Sequence, residues 1–223
     1  MVLISGALAS VVSVINIGTL TAHRYFVVHK PVNMVSQFIS SHNVNLLGSL
    51  DYDFPEGTHA IGRLDNHSEG LLLLTTNKKV TKLLFQGHKP HTRTYLVQVK
   101  NKITSETAAA LSKGIEISAP GGSAYLTSPC TVNIVEDPAV YSHLFEASLL
   151  TPATPLHQNV VTSWMLITLT EGKFHQVRKM VAAVHHRCIR LIRVSIENIY
   201  LGNLPAGTVR EIKEDDFFKL LDL

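Results

Sequence analysis

The segment GRLDNHSEGLLLLTTN, residues 62–77, constrains this chain more than any other. Four consecutive leucines, residues 71–74, stand directly behind a polar turn rich in Asp, Asn, Ser and Gly. The continuous apolar run over residues 71–76 is what a strand buried on both faces requires. The turn ahead of it then holds Asp65 on a rigid edge where a carboxylate can meet a substrate, with Arg63 two residues earlier. Taken locally, such a turn is ordinary loop chemistry.

Other segments set the frame around that strand. Residues 25–29 read as a short strand that stops at Lys30-Pro31. Residues 79–86 look helical, with Gly87 at the C-terminal position. Residues 93–99 alternate like a strand. A helix follows, capped by Thr104 or Ser105 and closed by Gly114. Residues 137–161 carry Pro138, Pro152 and Pro155 without periodicity and read as a long functional excursion, suited to site selection. Residues 164–169 form another strand. Val177, Met180, Val181 and Val184 fall at i, i+3, i+4, i+7, which predicts an amphipathic helix over residues 175–185. Its other face carries His175, Arg178 and Lys179. Residues 189–194 and 196–201 read as further strands. Strands and helices without strict alternation point to α+β.

With 223 residues, 45% hydrophobic and 17% charged, the chain can build one domain or two closely packed subdomains. The net charge is only +3, but its distribution is uneven. No acidic residue falls between Asn77 and Ser105, where seven Lys and Arg do, including Lys78, Lys79 and Arg93. A second basic stretch includes Lys173, Arg178 and Lys179, and residues 211–223 turn acidic. Such asymmetry suits a polyanion surface, although charge runs alone are more often solvated faces. The two cysteines, Cys130 and Cys188, are far apart and read as free thiols of a reducing cytoplasm. The twelve histidines show no HxxxH or HExxH pair, so a metal site is not expected. Residues 2–22 carry no charge, lack a basic signal region and are broken by polar residues. They are expected to be a poorly ordered extension, residues 1–23, or the product of a misassigned start codon, rather than a membrane anchor.

Together the segments cease to be generic. RYFVVHKPVNMVSQF (residues 24–38), GRLDNHSEGLL (62–72), RTYLVQV (93–99) and EGKFHQVRKM (171–180) occur in the order of four motifs. On these the chain resembles the ribosomal RNA pseudouridine synthases that modify single sites. TSWMLITL, residues 162–169, looks like the large-subunit member of that family. The resemblance spans about residues 24–210 and leaves no room before Arg24 for the S4-type RNA-binding domain many members carry. Asn33 replaces a usual Gly; Asn tolerates a left-handed backbone best, so the turn should survive. Lys78-Lys79 replaces the usual Asp-Gly.

The resemblance implies a pseudouridine synthase catalytic fold, with a mixed, mainly antiparallel sheet and flanking helices. It implies uridine-to-pseudouridine isomerisation in ribosomal RNA (23S rRNA or a large-subunit assembly intermediate), without cofactor or metal; because an asymmetric RNA site requires only one catalytic centre, a cytoplasmic monomer is expected. Asp65 is then the essential carboxylate, Arg178 the cation set against it, and Tyr95 the uracil-stacking residue and C5 base. Arg63 would fill the gap left by the flipped base or hold a phosphate. Lys30, Lys78, Lys79 and Arg93 are expected to bind RNA, and so are Lys173, His175, Gln176 and Lys179. Two other classes stand beside this reading. A non-catalytic RNA-binding or ribosome-assembly module would not need Asp65, Tyr95 and Arg178 together. A glycosidase-like hydrolase would need a second carboxylate, and Glu69 is the only one in the same turn.

Overall fold

The structure is a computed structural model that describes residues 22–87, 89–151 and 160–223. In chain order its elements are β1 (Tyr25–Lys30), β2 (His59–Ala60), β3 (Glu69–Thr75), α1 (Val80–Gln86), β4 (Arg93–Lys100) and α2 (Ser105–Ser112). Then come β5 (Glu116–Ser118), β6 (Ala124–Leu126), β7 (Thr131–Ile134), β8 (Thr162–Leu169) and α3 (Gln176–Ala183). The last are β9 (Cys188–Ile196), β10 (Ile199–Tyr200), β11 (Val209–Ile212) and α4 (Glu214–Leu221). The fold is α+β, as expected. Among the described residues, a nine-stranded sheet runs β11-β1-β3-β9-β4-β8-β7, with β2 on β3 and β10 on β9.

The four leucines explain the middle of this sheet. Leu71 and Leu73 face one hydrophobic cluster with Tyr25, Val27, Leu96 and Phe217. Leu72 and Leu74 face another with Phe26, Val28 and Leu47. All four are fully buried, each contributing about 1.5–3 kcal/mol of apolar burial. A third cluster packs α2 and α3 against Val97, Met165 and Ile167.

The sheet is antiparallel on both sides of one seam. β1 pairs antiparallel with β11 and β3, and β4 pairs antiparallel with β9 and β8. β3 and β9 join these halves by a short parallel pairing, Glu69 opposite Ile192 and Gly70 opposite Arg193. Gly70 has φ +98°, and a β-carbon on it would stand 2.3 Å from the Arg193 carbonyl oxygen. Only glycine lets the two strands close here. Beside the seam, Glu69 forms a bidentate ion pair with Arg190 (2.9 and 3.0 Å), whose Nη1 also donates to the Leu149 and Thr151 carbonyls.

Three expectations change. The acidic stretch 211–223 is no tail. β11 pairs with β1, and α4 buries Phe217 and Leu221 completely. Glu214, Asp215 and Asp216 occupy the first turn of α4, where carboxylates complement the helix dipole. Gly87 ends α1 with φ −69° rather than in a left-handed conformation. In the 137–161 excursion, Phe145 is wholly buried in the core and Leu149 packs against it. Residues 152–159, like most of the N-terminal stretch, lie outside the described residues.

Gly70→Ala is expected to destabilise the protein by at least about 2 kcal/mol in denaturant titrations, through strain and the backbone collision. A change within about 0.5 kcal/mol would mean the seam has room to spare.

Candidate active site

The turn before β3 is braced from two sides. From the β1 side, Ser36 Oγ donates to the Leu64 carbonyl and accepts from the Leu64 amide, both at 2.9 Å. Asn33 takes the left-handed conformation expected of it (φ 61°). Its amide donates to the Asn66 carbonyl at 2.8 Å, and its Oδ1 lies 3.1 Å from His67 Nδ1. From the other side, Arg178 Nη2 donates to the His67 carbonyl at 2.7 Å. Within the turn, the Ser68 amide donates to the Asp65 carbonyl. Asp65 thus sits on an over-determined loop with its carboxylate about one-third exposed.

Asp65 lines a cleft of about 600 Å³ together with Arg63, Tyr95, Arg93, His175 and Arg193. Tyr95 enters from β4 next to a register shift against β9, where Thr94 faces Ser195 but Tyr95 faces Arg193. Such bulges re-aim side chains beside active sites. The third wall is the turn from Glu171 to Gln176. Glu171 accepts hydrogen bonds from Tyr125 (2.5 Å), the Ser128 amide (3.0 Å) and Gln176 Nε2 (2.6 Å). Burial opposes the Glu171 charge, but those bonds outweigh it and hold its carboxyl below the usual range. His175 adopts φ 54°, stacks on Phe174 at 3.9 Å and brings Nε2 within 3.7 Å of Asp65 Oδ1.

The expected residues divide by position. Asp65, Tyr95, Arg63, Arg93, Lys173, His175 and Gln176 meet in the cleft. Arg63 is exposed there and makes no ion pair among the described residues. Arg93 Nη2 donates to the His91 and Thr170 carbonyls, tying β4 to the turn. Gln176 is buried; its Nε2 donates to Glu171 and its Oε1 accepts from the Lys173 amide, so it shapes the turn and has no free edge for RNA. Lys179 lies outside the cleft and donates to the Ser118 carbonyl at 2.6 Å. Lys78 and Lys79 are exposed ahead of α1 and do not line the cleft. Arg178 makes no ion pair with Asp65; it reaches the same loop through the His67 carbonyl.

Lys30 departs furthest from expectation. It is fully buried, and its Nζ donates to the Pro31 and Met34 carbonyls at 2.9 and 2.7 Å. A phosphate cannot reach it. Burial lowers its pKa to about 8, opposed by the charges of Glu69 and Asp65. Sequence reasoning missed Arg193, which is 4% exposed at the cleft floor and donates from Nε to the Leu71 carbonyl at 2.8 Å. Its place inside an apolar strand pattern, LIRVSI, was the available signal.

The chain matches the model for RNA pseudouridylate synthase over residues 24–183. It is 30% identical over 190 residues to ribosomal large subunit pseudouridine synthase E of Vibrio parahaemolyticus, covering 85% of this chain and 74% of that one. The protein of the same name from Xanthomonas campestris is 30% identical over 185 residues, 82% of this chain and 91% of its own. Ribosomal small subunit pseudouridine synthase A of Salmonella typhimurium is 28% identical over 194 residues, 86% and 72% of the two chains. A solved pseudouridylate synthase shares the fold with a TM-score of 0.68 at 24% identity, over 89% of this chain and 74% of its own.

The depressed pKa of Lys30 has a definite sign. The folded protein holds this proton less tightly than the unfolded chain, whose lysine titrates near 10.5. Through Lys30, stability therefore rises as pH climbs from about 8 towards 10.5, and that contribution is lost as pH falls through about 8. The stability of wild type minus that of Lys30→Met is expected to grow across this window in pH-resolved melts. A difference independent of pH would remove the assignment.

Proposed function

The chain belongs to the RNA pseudouridylate synthase family, and we propose that it converts one uridine of large-subunit (23S) ribosomal RNA to pseudouridine, with Asp65 as the essential carboxylate. The observation that carries this reading is the convergence of Asp65 and Tyr95 in one cleft at the seam of the sheet. The choice of large-subunit RNA is supported by the relatives named for that activity, which are 30% identical over most of both chains.

The reaction breaks the N1–C1′ bond, turns the uracil and rejoins it through C5. Its demands are geometric: an extruded uridine, a carboxylate at the sugar, and a group to take the C5 proton. Base extrusion costs a few kcal/mol, to be met by cleft contacts. Asp65 acts ionised, beside His175. Tyr95 offers its ring for stacking and its hydroxyl for the C5 proton. Arg178 acts as a positioning residue, holding the Asp65 loop by the His67 carbonyl. Exposed Arg63 replaces the extruded base in its stack or holds a phosphate, and Lys173, Lys78 and Lys79 track phosphates. A paired-carboxylate hydrolase has no support here, because Glu69 is committed to Arg190 at 2.9 and 3.0 Å.

The test uses ribosomal RNA tritiated at uridine C5, both naked and in assembly intermediates, with tritium release as the readout. Wild type is expected to release tritium from large-subunit RNA, and Asp65→Asn to lose at least about 1,000-fold in rate, on the scale of losing an essential catalytic group. No release by wild type from any RNA sinks the isomerase reading, and release from small-subunit RNA alone corrects the substrate. Asp65→Asn turning over at the wild-type rate sinks the role of Asp65.

A further inference from the structure

Among the described residues, three buried side-chain nitrogens or oxygens on cleft-lining residues have no hydrogen-bond partner: Ser68 Oγ, Arg93 Nε and Arg193 Nη2. Unsatisfied buried donors are uncommon because each forfeits its hydration. Their clustering in one cleft points to a ligand that supplies acceptors. Arg193 is the most demanding of the three, because a guanidinium has five N–H donors and no acceptor. Nε of Arg193 donates to the Leu71 carbonyl and its guanidinium also hydrogen-bonds toward Tyr95, which leaves Nη2 as the buried nitrogen without a partner among the described residues.

Its position is fixed by the sheet. On β9, Arg193 faces Gly70 of β3 across the parallel seam and Tyr95 of β4 across the antiparallel one. It therefore stands under the point where the Asp65 loop and Tyr95 meet. Burial works against its charge, while Tyr95 and Asp65 work for it. Arg178, by contrast, has spent its guanidinium on the His67 carbonyl and lies against Cys188, outside the cleft.

We propose that Arg193 is a further catalytic residue, whose guanidinium binds a carbonyl oxygen of the target uracil and stabilises the uracil anion released at the cleft floor. The proposal rests on the isomerase reading. When N1–C1′ breaks, the bonding pair leaves with the base and spreads from N1 onto the two carbonyl oxygens. A preorganised cation in a dry site stabilises charge that develops there. Asp65 faces the electron-poor sugar carbon. The ring then turns, C5 donates its pair to C1′, the C5 proton leaves by way of Tyr95, and N1 gains a proton. The sum is an isomerisation with no net change in protons or electrons. Ser68 adds a neutral donor at the same floor.

The test compares uridine with 5-fluorouridine at the target position of the RNA, followed by loss of the nucleoside in single-turnover digests. Fluorine at C5 stabilises the departing anion by itself, so an enzyme lacking its own stabiliser loses less on that substrate. Arg193→Met is expected to slow uridine consumption by about 100-fold or more, the scale of losing one oxyanion donor. RNA affinity should stay within about threefold, because a side chain 4% exposed at the cleft floor meets the flipped base and not the phosphates. The loss on 5-fluorouridine should be at least about tenfold smaller, and Arg193→Lys should fall between Met and wild type. Equal losses on both substrates, or a loss confined to RNA affinity, overturn the proposal. If Arg193→Met shows no cooperative thermal transition, Arg193→Lys decides by the same inequality. Wild type failing on uridine removes the isomerase reading and this proposal with it. Wild type succeeding while the variants lose equally on both substrates removes Arg193 alone.

Discussion

Gly70 and the backbone of Arg193 approach so closely that a β-carbon would stand 2.3 Å from a carbonyl oxygen, and the rest of the site follows from that contact. It lets two antiparallel blocks join through a parallel pairing of two residue pairs, Glu69–Ile192 and Gly70–Arg193. The cleft lies beside that seam, lined by the Asp65 turn ahead of β3, by Arg93 and Tyr95 of β4, by Leu191 and Arg193 of β9 and by the turn after β8. The Asp65 loop enters from one block and Tyr95 from the other. Neither block holds a complete site, so whatever closes the seam also assembles the chemistry.

The charges around the seam are buried at a cost, which sets what each can do. Lys30 is fully enclosed and held by two carbonyls. Glu69 and Arg190 satisfy each other in a bidentate pair. Buried pairs of this kind are weak sources of net stability, because desolvation offsets the Coulomb gain. Their effect is to hold a strand end and a loop in one arrangement, which a site with tolerances of about 0.5 Å requires. Arg193 differs in that no carboxylate pairs with it among the described residues, so its charge is left to act on the cleft.

Much of the frame was legible because it depends on local pattern. The four leucines predicted a doubly buried strand, Thr104 capped its helix, and Asn33 took the left-handed turn expected of it. Burial of polar residues was not legible. Lys30 beside Pro31 reads as an exposed turn lysine, yet the Met34 and Pro31 carbonyls fold over it. Gln176 and Arg178 lie in a motif rich in potential RNA contacts, yet both bond within the protein. By charge the acidic end reads as a tail, but its apolar period is that of a helix. Phe217, Leu220 and Leu221 fall at i, i+3 and i+4, and Phe217 packs on the Tyr25 ring at 4.5 Å.

Burial thus sorts the cations of this chain into two populations that share a side-chain chemistry and not a role. Arg63, Lys78, Lys79 and Lys173 are exposed, so in the proposed function their attraction to RNA is screened by salt and blind to sequence. Lys30, Arg190 and Arg193 are shielded, so their fields act over short range on particular atoms whatever the ionic strength. If the proposed roles hold, RNA capture and base chemistry are separable in this fold. Raising salt weakens the first by releasing the polyanion from the exposed set, while the geometry at the Gly70 seam continues to set the second.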